Sequence, residues 1–428
     1  MNEVTAPTAD PTEAEAGGPA PLRPRGSNHV GMRQFNERVV LQAIRLNGSL
    51  PKAEVARVTG LTAQTIGLIT TRLEEDGLLL RQAPVRGRIG QPSVPLALNP
   101  DGAFSIGIKV GRRSTDWLLV DFTGRVRQRE SISYLFPDAE TLLPTLAQRM
   151  AQMIDGLGAL APRLVGVGVA TPLRLGGWHR MLGLSTGQSE RWNAVDLGAA
   201  LQQHAPVPVS VAKDTSAACV AELVAGRGKD LKSFLYVFVD TFVGGGLVIN
   251  SQPHWGLHGN AGAVASLPLG LADPQQTEVQ TPSSAGLRGL PEQLVTRASL
   301  WELEQRFVAA GLEASAAYDA RALSAPFAAA TDEWLANAAT ALAHCAVSSS
   351  ALLDIEAVVM DGSLHGLLLQ RLIDRTRQAM DLYDWEGLWR TPVVEGSIGS
   401  DARALGGALL PLHANFAPDR DLFLKVAV

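Results

Sequence analysis

The sequence predicts two fold classes in one chain: an N-terminal winged helix-turn-helix (α+β), followed by an α/β body of two lobes. Three observations carry this. Three short helical periods between residues 36 and 76 run into a hairpin whose loop reads Arg86-Gly87-Arg88-Ile89-Gly90-Gln91-Pro92. Beyond residue 104 strand and helix patterns alternate, as they do when helices cover the faces of a sheet. Charge divides along the same boundary. Residues 29–99 hold nine Arg or Lys against five acids, a balance of +4, although the whole 428-residue chain carries −5. A basic head on an acidic body has the electrostatic footprint of DNA binding.

The first helix is expected at residues 36–46, with Val39, Val40, Ala43 and Ile44 on one face and Asn47-Gly48 as its end. The second is expected at 51–59, opened by Pro51, whose missing N–H suits a first turn, and closed by Gly60. Val55 and Val58 are expected to face inward. The third is expected at 62–76 with Thr62 as N-cap. Ile66, Ile69 and Leu73 recur at spacings of three and four and should face the core. That leaves Gln64, Thr65, Leu68, Thr71 and Arg72 outside, and small polar groups early in such a helix reach base edges in the major groove. Thr62, Gln64, Thr65, Thr71 and Arg72 are therefore candidate DNA contacts. Strands at 78–80 and 94–98 frame the wing, whose Arg86 and Arg88 among glycines suit a narrow minor groove. The competing reading of this head is an adaptor or dimerisation module, and its charge argues against that.

The rest of the chain sets bounds. Its length predicts two or three domains. Residues 1–28 lack an apolar core segment and read as a disordered tail rather than a signal peptide. No apolar run reaches the ~18 residues of a membrane helix. Cys219 and Cys345 stand at no metal-ligand spacing, and two unpaired thiols fit a reduced cytoplasm. Body strands are expected at 105–110, 116–121 and 126–134, a helix at 139–157, and an apolar strand at 164–170 ending in Thr171-Pro172. Strands at 233–239 and 246–250 flank Gly244-Gly245-Gly246, read as a tight turn. The body divides into a first lobe at 100–225 and a second at 226–428 that includes the C-terminal helices.

From about residue 34 to 412 the chain resembles the ROK family, sugar kinases of the actin-like ATPase fold together with regulators that carry a winged helix before the same body. The wing matches those regulators, with Gly90-Gln91-Pro92 where Gly-Arg-Pro is usual. Trp192-Asn193-Ala194-Val195-Asp196-Leu197 resembles the segment before the ligand site, and Lys213-Asp214-Thr215-Ser216-Ala217-Ala218 resembles Asn-Asp-Ala-Asn-Ala-Ala. Ala261–Ser266 stands in place of Ala-Gly-Glu-x-Gly-His, and Gly286–Glu292 in place of Cys-Gly-x-x-Gly-Cys-x-Glu without its leading cysteine. Asp361-Gly362 and residues 399–407 fall where the family closes its second lobe.

The departures shape the functional expectation. The family's first phosphate loop, Asp-x-Gly-Gly-Thr, is Lys109-Val110-Gly111-Arg112-Arg113 here, and bulky arginines keep a backbone away from phosphate. The second, Gly-Thr-Gly-x-Gly, is Asp240-Thr241-Phe242-Val243-Gly244. Phosphoryl transfer rests on positioning and charge neutralisation, so kinase activity is not expected. The zinc ligands of many members match Ser266, Ser283, Ala285 and Leu290, so no metal is expected there. In the sugar pocket, Asp214 matches the kinase base and Glu292 the terminal glutamate, while the neighbouring asparagine is Lys213. Asp214, Lys213, Glu292 and Pro172 are the candidate ligand residues. Lys213 admits two readings: it pairs with Asp214 or points into solvent, or it selects an anionic ligand such as a uronic acid or sugar phosphate. Trp255 lines the pocket or packs as a loop aromatic, and His254 and His258 read as structural.

The resemblance implies a cytoplasmic transcription regulator, read as a repressor. It binds operator DNA as a homodimer, with a dimer of dimers as the larger alternative, and answers a carbohydrate-like effector between the lobes. It implies no catalytic residue and no cofactor. The alternatives are a sugar kinase with an appended DNA-binding head, and a DNA-binding protein whose effector site has decayed.

Overall fold

A computed structural model describes residues 29–84, 93–172, 186–271 and 291–418. The head comprises α1 (His29–Asn47), β1 (Ser49–Pro51), α2 (Lys52–Thr59), α3 (Ala63–Glu75), β2 (Leu79–Arg81) and β3 (Pro95–Leu98). Its sheet has the order β1-β3-β2, antiparallel throughout, with Leu79 opposite Leu98. Strand β1 is a three-residue addition that sequence periodicity misses, because three residues hold too little alternation to register. Gly60 ends α2 at φ 71°, a left-handed conformation that glycine adopts without strain. Val40, Leu41, Ile44, Val55, Ile66, Ile69, Leu73 and Leu96 are buried together. Val58, expected to face inward, is 43% exposed, since the short α2 turns only Val55 fully into the core. The wing residues Arg86, Arg88 and Gln91 lie outside the described residues.

The first body sheet has the order β6-β5-β4-β7-β8. Strands β4 (Phe104–Val110), β5 (Ser114–Asp121) and β6 (Val126–Ser133) form the expected antiparallel meander. Helix α4 (Ala139–Gly156) leads to β7 (Leu164–Thr171), parallel to β4. Helices α5 (Thr186–Asn193) and α6 (Leu197–Gln202) precede β8 (Val209–Lys213), and α7 (Asp214–Ala225) follows it. The second sheet has the order β11-β10-β9-β12-β13. It is built from β9 (Phe234–Val239), β10 (Gly244–Ile249), β11 (Gln252–His254), β12 (Ala357–Gly362) and β13 (Val393–Glu395). Helices α8 (Leu294–Ala298), α9 (Leu300–Ala309), α10 (Ala328–Leu353) and α11 (Gly366–Met380) share a core with this sheet around Trp334 and Phe307.

The last helix, α12 (Ala402–Phe416), crosses back from the second sheet to pack on β4, β7 and α7. Glycine makes this possible. A Cβ on Gly406 would stand 1.8 Å from the Ala217 carbonyl oxygen, and one on Gly168 would stand 2.0 Å from that of Gly407. Gly244, Gly245 and Gly246 correct the turn reading, for all three lie in β10. A Cβ on Gly246 would lie 2.5 Å from that of Cys219, so these glycines let α7 rest on the strand. Cys219 and Cys345 are free and buried, and burial pushes the Cys345 thiol up to about 12. No helix among the described residues is long and apolar enough to cross a membrane.

Candidate functional site

Two surfaces hold chemistry, and the first is the outer face of α3. Thr62 caps the helix: its Oγ1 accepts from Thr65 N at 3.2 Å, and the two hydroxyls bond at 2.9 Å. Both threonines, expected as DNA contacts, thus have hydroxyls engaged at the helix start. Arg72 donates to Glu37 of α1 at 3.2 Å. Gln64, Leu68 and Thr71 remain open, and Leu68 is 71% exposed. A Cβ added to Gly67 beside them would meet nothing within 4 Å, so no packing demands its glycine.

The head is joined to the body by buried contacts. The Arg45 guanidinium lies 5.2 Å from the Phe122 ring centroid, and burial pulls its pKa down to about 10 against the opposing Asp121. Phe122 packs edge-on against Phe416 of α12 at 4.7 Å, and Arg38 donates to the Ala417 carbonyl at 3.2 Å. Helix α12 therefore ends against the head, while its first turn lines the cleft through Arg403 and Ala404.

The second surface is that cleft, a cavity of about 660 Å³. Both degenerate phosphate loops reach it, and their side chains meet across it. Arg112 of the β4–β5 turn lies 4.9 Å from the Phe242 ring centroid in the β9–β10 turn. Arg113 donates to Glu304 of α9 at 2.9 Å and to Tyr318 at 3.1 Å, and Tyr318 bonds Thr241 at 2.8 Å. Half-buried Arg403 pairs with Asp240 and stands 3.7 Å from Asp214. Burial works against the Arg403 charge, but Asp240, Asp214 and Asp116 outweigh it and hold the guanidinium above its ordinary range. Lys109, in the place of the family's loop acid, donates to Ser114 at 2.6 Å and Asp116 at 3.1 Å. Arginine, acidic and aromatic side chains of the two loops and their neighbours thus contact one another around the cavity.

The cavity has a further set of lining residues. Pro172, Lys213 and Asp214 line it, as do Ala263 and Ser266. Asp214 Oδ1 accepts from Thr215 N at 2.8 Å while Oδ2 faces Arg403. Lys213 fits neither half of the plain reading: its Nζ is buried rather than solvated, and it has no hydrogen-bond partner among the described residues. Burial draws its pKa down, with Asp214 and Cys219 opposing. Glu292 is not brought to the cavity; it is exposed and its carboxylate is held by Arg297. Trp255 is 40% exposed and does not line the cavity. Of the family's zinc positions, Ser266 lines the cavity, and 283, 285 and 290 lie outside the described residues. Sequence reasoning missed Arg403, Glu304 and Tyr318. No local signal marks them, because their partners stand far away in the chain.

Comparison with known proteins places this architecture. A family model described as "ROK family" matches residues 105–414. An uncharacterized protein of Sinorhizobium fredii is 24% identical over 385 residues, covering 89% of this chain and 92% of its own. The xylose repressor of Bacillus subtilis is 23% identical over 249 residues, covering 57% of this chain and 63% of the repressor. The match thus spans less than two thirds of that repressor's length. Among solved structures, a ROK family transcriptional regulator described as a homolog of the E. coli MLC protein superposes with a TM-score of 0.64. It is 20% identical and covers 90% of this chain and 98% of its own, so the fold is shared through head and body.

Proposed function

The chain belongs to the ROK family, and from that premise we propose that it is a DNA-binding transcription regulator, a repressor, that responds to a carbohydrate-like effector and does not phosphorylate it. One observation supports this most directly. The face of α3 is open, whereas the two loops that serve nucleotide in kinases are tied down through Arg112–Phe242, Arg113–Glu304 and Arg403–Asp240. Bulky, mutually engaged side chains at these loop positions argue against a glycine-lined backbone cradle for a triphosphate. A xylose repressor and a solved ROK regulator stand among the similar proteins.

The mechanism is a population shift. Effector changes the lobe arrangement, α12 carries the change from Arg403 to the contacts at Phe416 and Ala417, and operator affinity changes. The working form is a cytoplasmic homodimer that sets two heads on two half-sites, Gln64 and Thr71 toward bases and Arg86 and Arg88 toward the minor groove. The test has two arms. Selection from random duplexes should enrich one sequence, and replacing Arg86 and Arg88 by Ala should weaken its binding. An ATP-dependent turnover assay on a sugar panel should stay at background. Clear turnover, or no enriched duplex, overturns the reading.

A further inference from the structure

Strands β7 and β8 run parallel and pair Thr171 with Lys213 at their C-terminal ends. Paired residues of parallel strands share a face of the sheet, so the hydroxyl and the ammonium stem start from one side. Both ends carry an unmet donor. Thr171 is 9% exposed, and neither its Oγ1 nor Lys213 Nζ has a hydrogen-bond partner among the described residues. The next residues, Pro172 and Asp214, wall the cavity together with Lys213 itself. Asp214 favours the Lys213 charge through space, but its Oδ1 accepts from Thr215 N and its Oδ2 stands 3.7 Å from Arg403. Buried polar atoms are nearly always paired, and a buried ammonium without a hydrogen bond is a costly exception.

We propose that Thr171 and Lys213 form the anion-receiving corner of the effector site, and that the effector is an acidic carbohydrate whose carboxylate or phosphate oxygens accept from both. This rests on the effector reading above and narrows it. A neutral sugar brings hydroxyls that satisfy hydrogen bonds but not the charge. An anion satisfies both, at the carboxyl ends of the parallel strands β7 and β8, where Pro172, Lys213 and Asp214 line the cavity.

Thermal-shift titrations of the full chain test this with D-glucuronate and D-galacturonate, D-glucose 6-phosphate, and neutral D-glucose and D-xylose. At least one acid should bind about tenfold or more tightly than either neutral sugar. The uronates and the phosphate ester separate the two sources of negative charge. Lys213→Asn should abolish the acid preference, and Thr171→Val should weaken acid binding. If Lys213→Asn fails to fold, the acid-to-neutral ratio of the unaltered protein still decides. Equal or better binding of neutral sugars, or an acid preference that survives Lys213→Asn, overturns the inference alone. A flat response to all five compounds overturns the effector reading beneath it as well.

Discussion

Around the two loops of the cleft, Arg112 lies on Phe242, Arg113 pairs with Glu304 and Arg403 pairs with Asp240. At the ends of β7 and β8, Thr171 Oγ1 and Lys213 Nζ are buried and have no hydrogen-bond partner among the described residues. The cleft therefore holds two different physical situations. On the facing loops, charged and aromatic side chains contact each other. Beside Asp214, which faces Arg403, Lys213 Nζ has no hydrogen-bond partner among the described residues. Ion pairs hold the loop side chains in place, whereas a buried ammonium without a hydrogen bond carries a cost that a ligand can relieve.

This contrast predicts opposite signs for the loss of a cation. Arg403→Ala strands Asp240 beside Asp214 in a buried setting and should lower stability most, by ~3–5 kcal/mol, read by urea denaturation. Arg113→Ala leaves Glu304, which is 3% exposed, without its bidentate partner and should cost ~2–3 kcal/mol by the same measurement. Lys213→Met should do the reverse and stabilise the unliganded protein by ~1–2 kcal/mol, since it removes a buried charge with no partner. A loss of stability there would break the comparison.

The pH dependence sharpens it. The folded protein holds the Lys213 pKa below the ordinary 10.5 through burial, so the unfolded chain binds that proton more readily. The deficit relative to Lys213→Met is therefore full below the depressed pKa and fades as pH rises toward 10.5. The smallest expected effect lies in the head. Gly67→Ala should raise stability by ~0.5–1 kcal/mol, because a Cβ there meets nothing and alanine favours helix. It should also weaken duplex binding if α3 needs a close approach, so melting temperature and affinity should move in opposite directions.

Much of this is legible in the residues. The spacing of Ile66, Ile69 and Leu73 places α3, Thr62 marks its cap, and the meander from β4 to β6 falls close to its expected bounds. Local patterns of this kind are read from neighbours a few residues apart. The glycines at 244–246 mislead for the complementary reason: glycine signals a turn locally, yet here it makes room for a helix. Thr62 and Thr65 read as free to reach bases, yet their hydroxyls bond each other. Glu292 matches a motif position but is turned to Arg297 at the surface.

The sequence by itself determined the winged head, the α/β body, the loss of both phosphate loops and the presence of a lysine at position 213. These follow from composition, periodicity and residue identity, which act over short stretches of chain. Only the tertiary structure decided what became of the charges. Arg113 finds Glu304 and Asp214 turns to Arg403 across 191 and 189 positions of chain, and α12 returns to seat itself between cleft and head. Whether a charge is satisfied depends on what the fold brings within a few ångströms of it, and no local pattern encodes that distance.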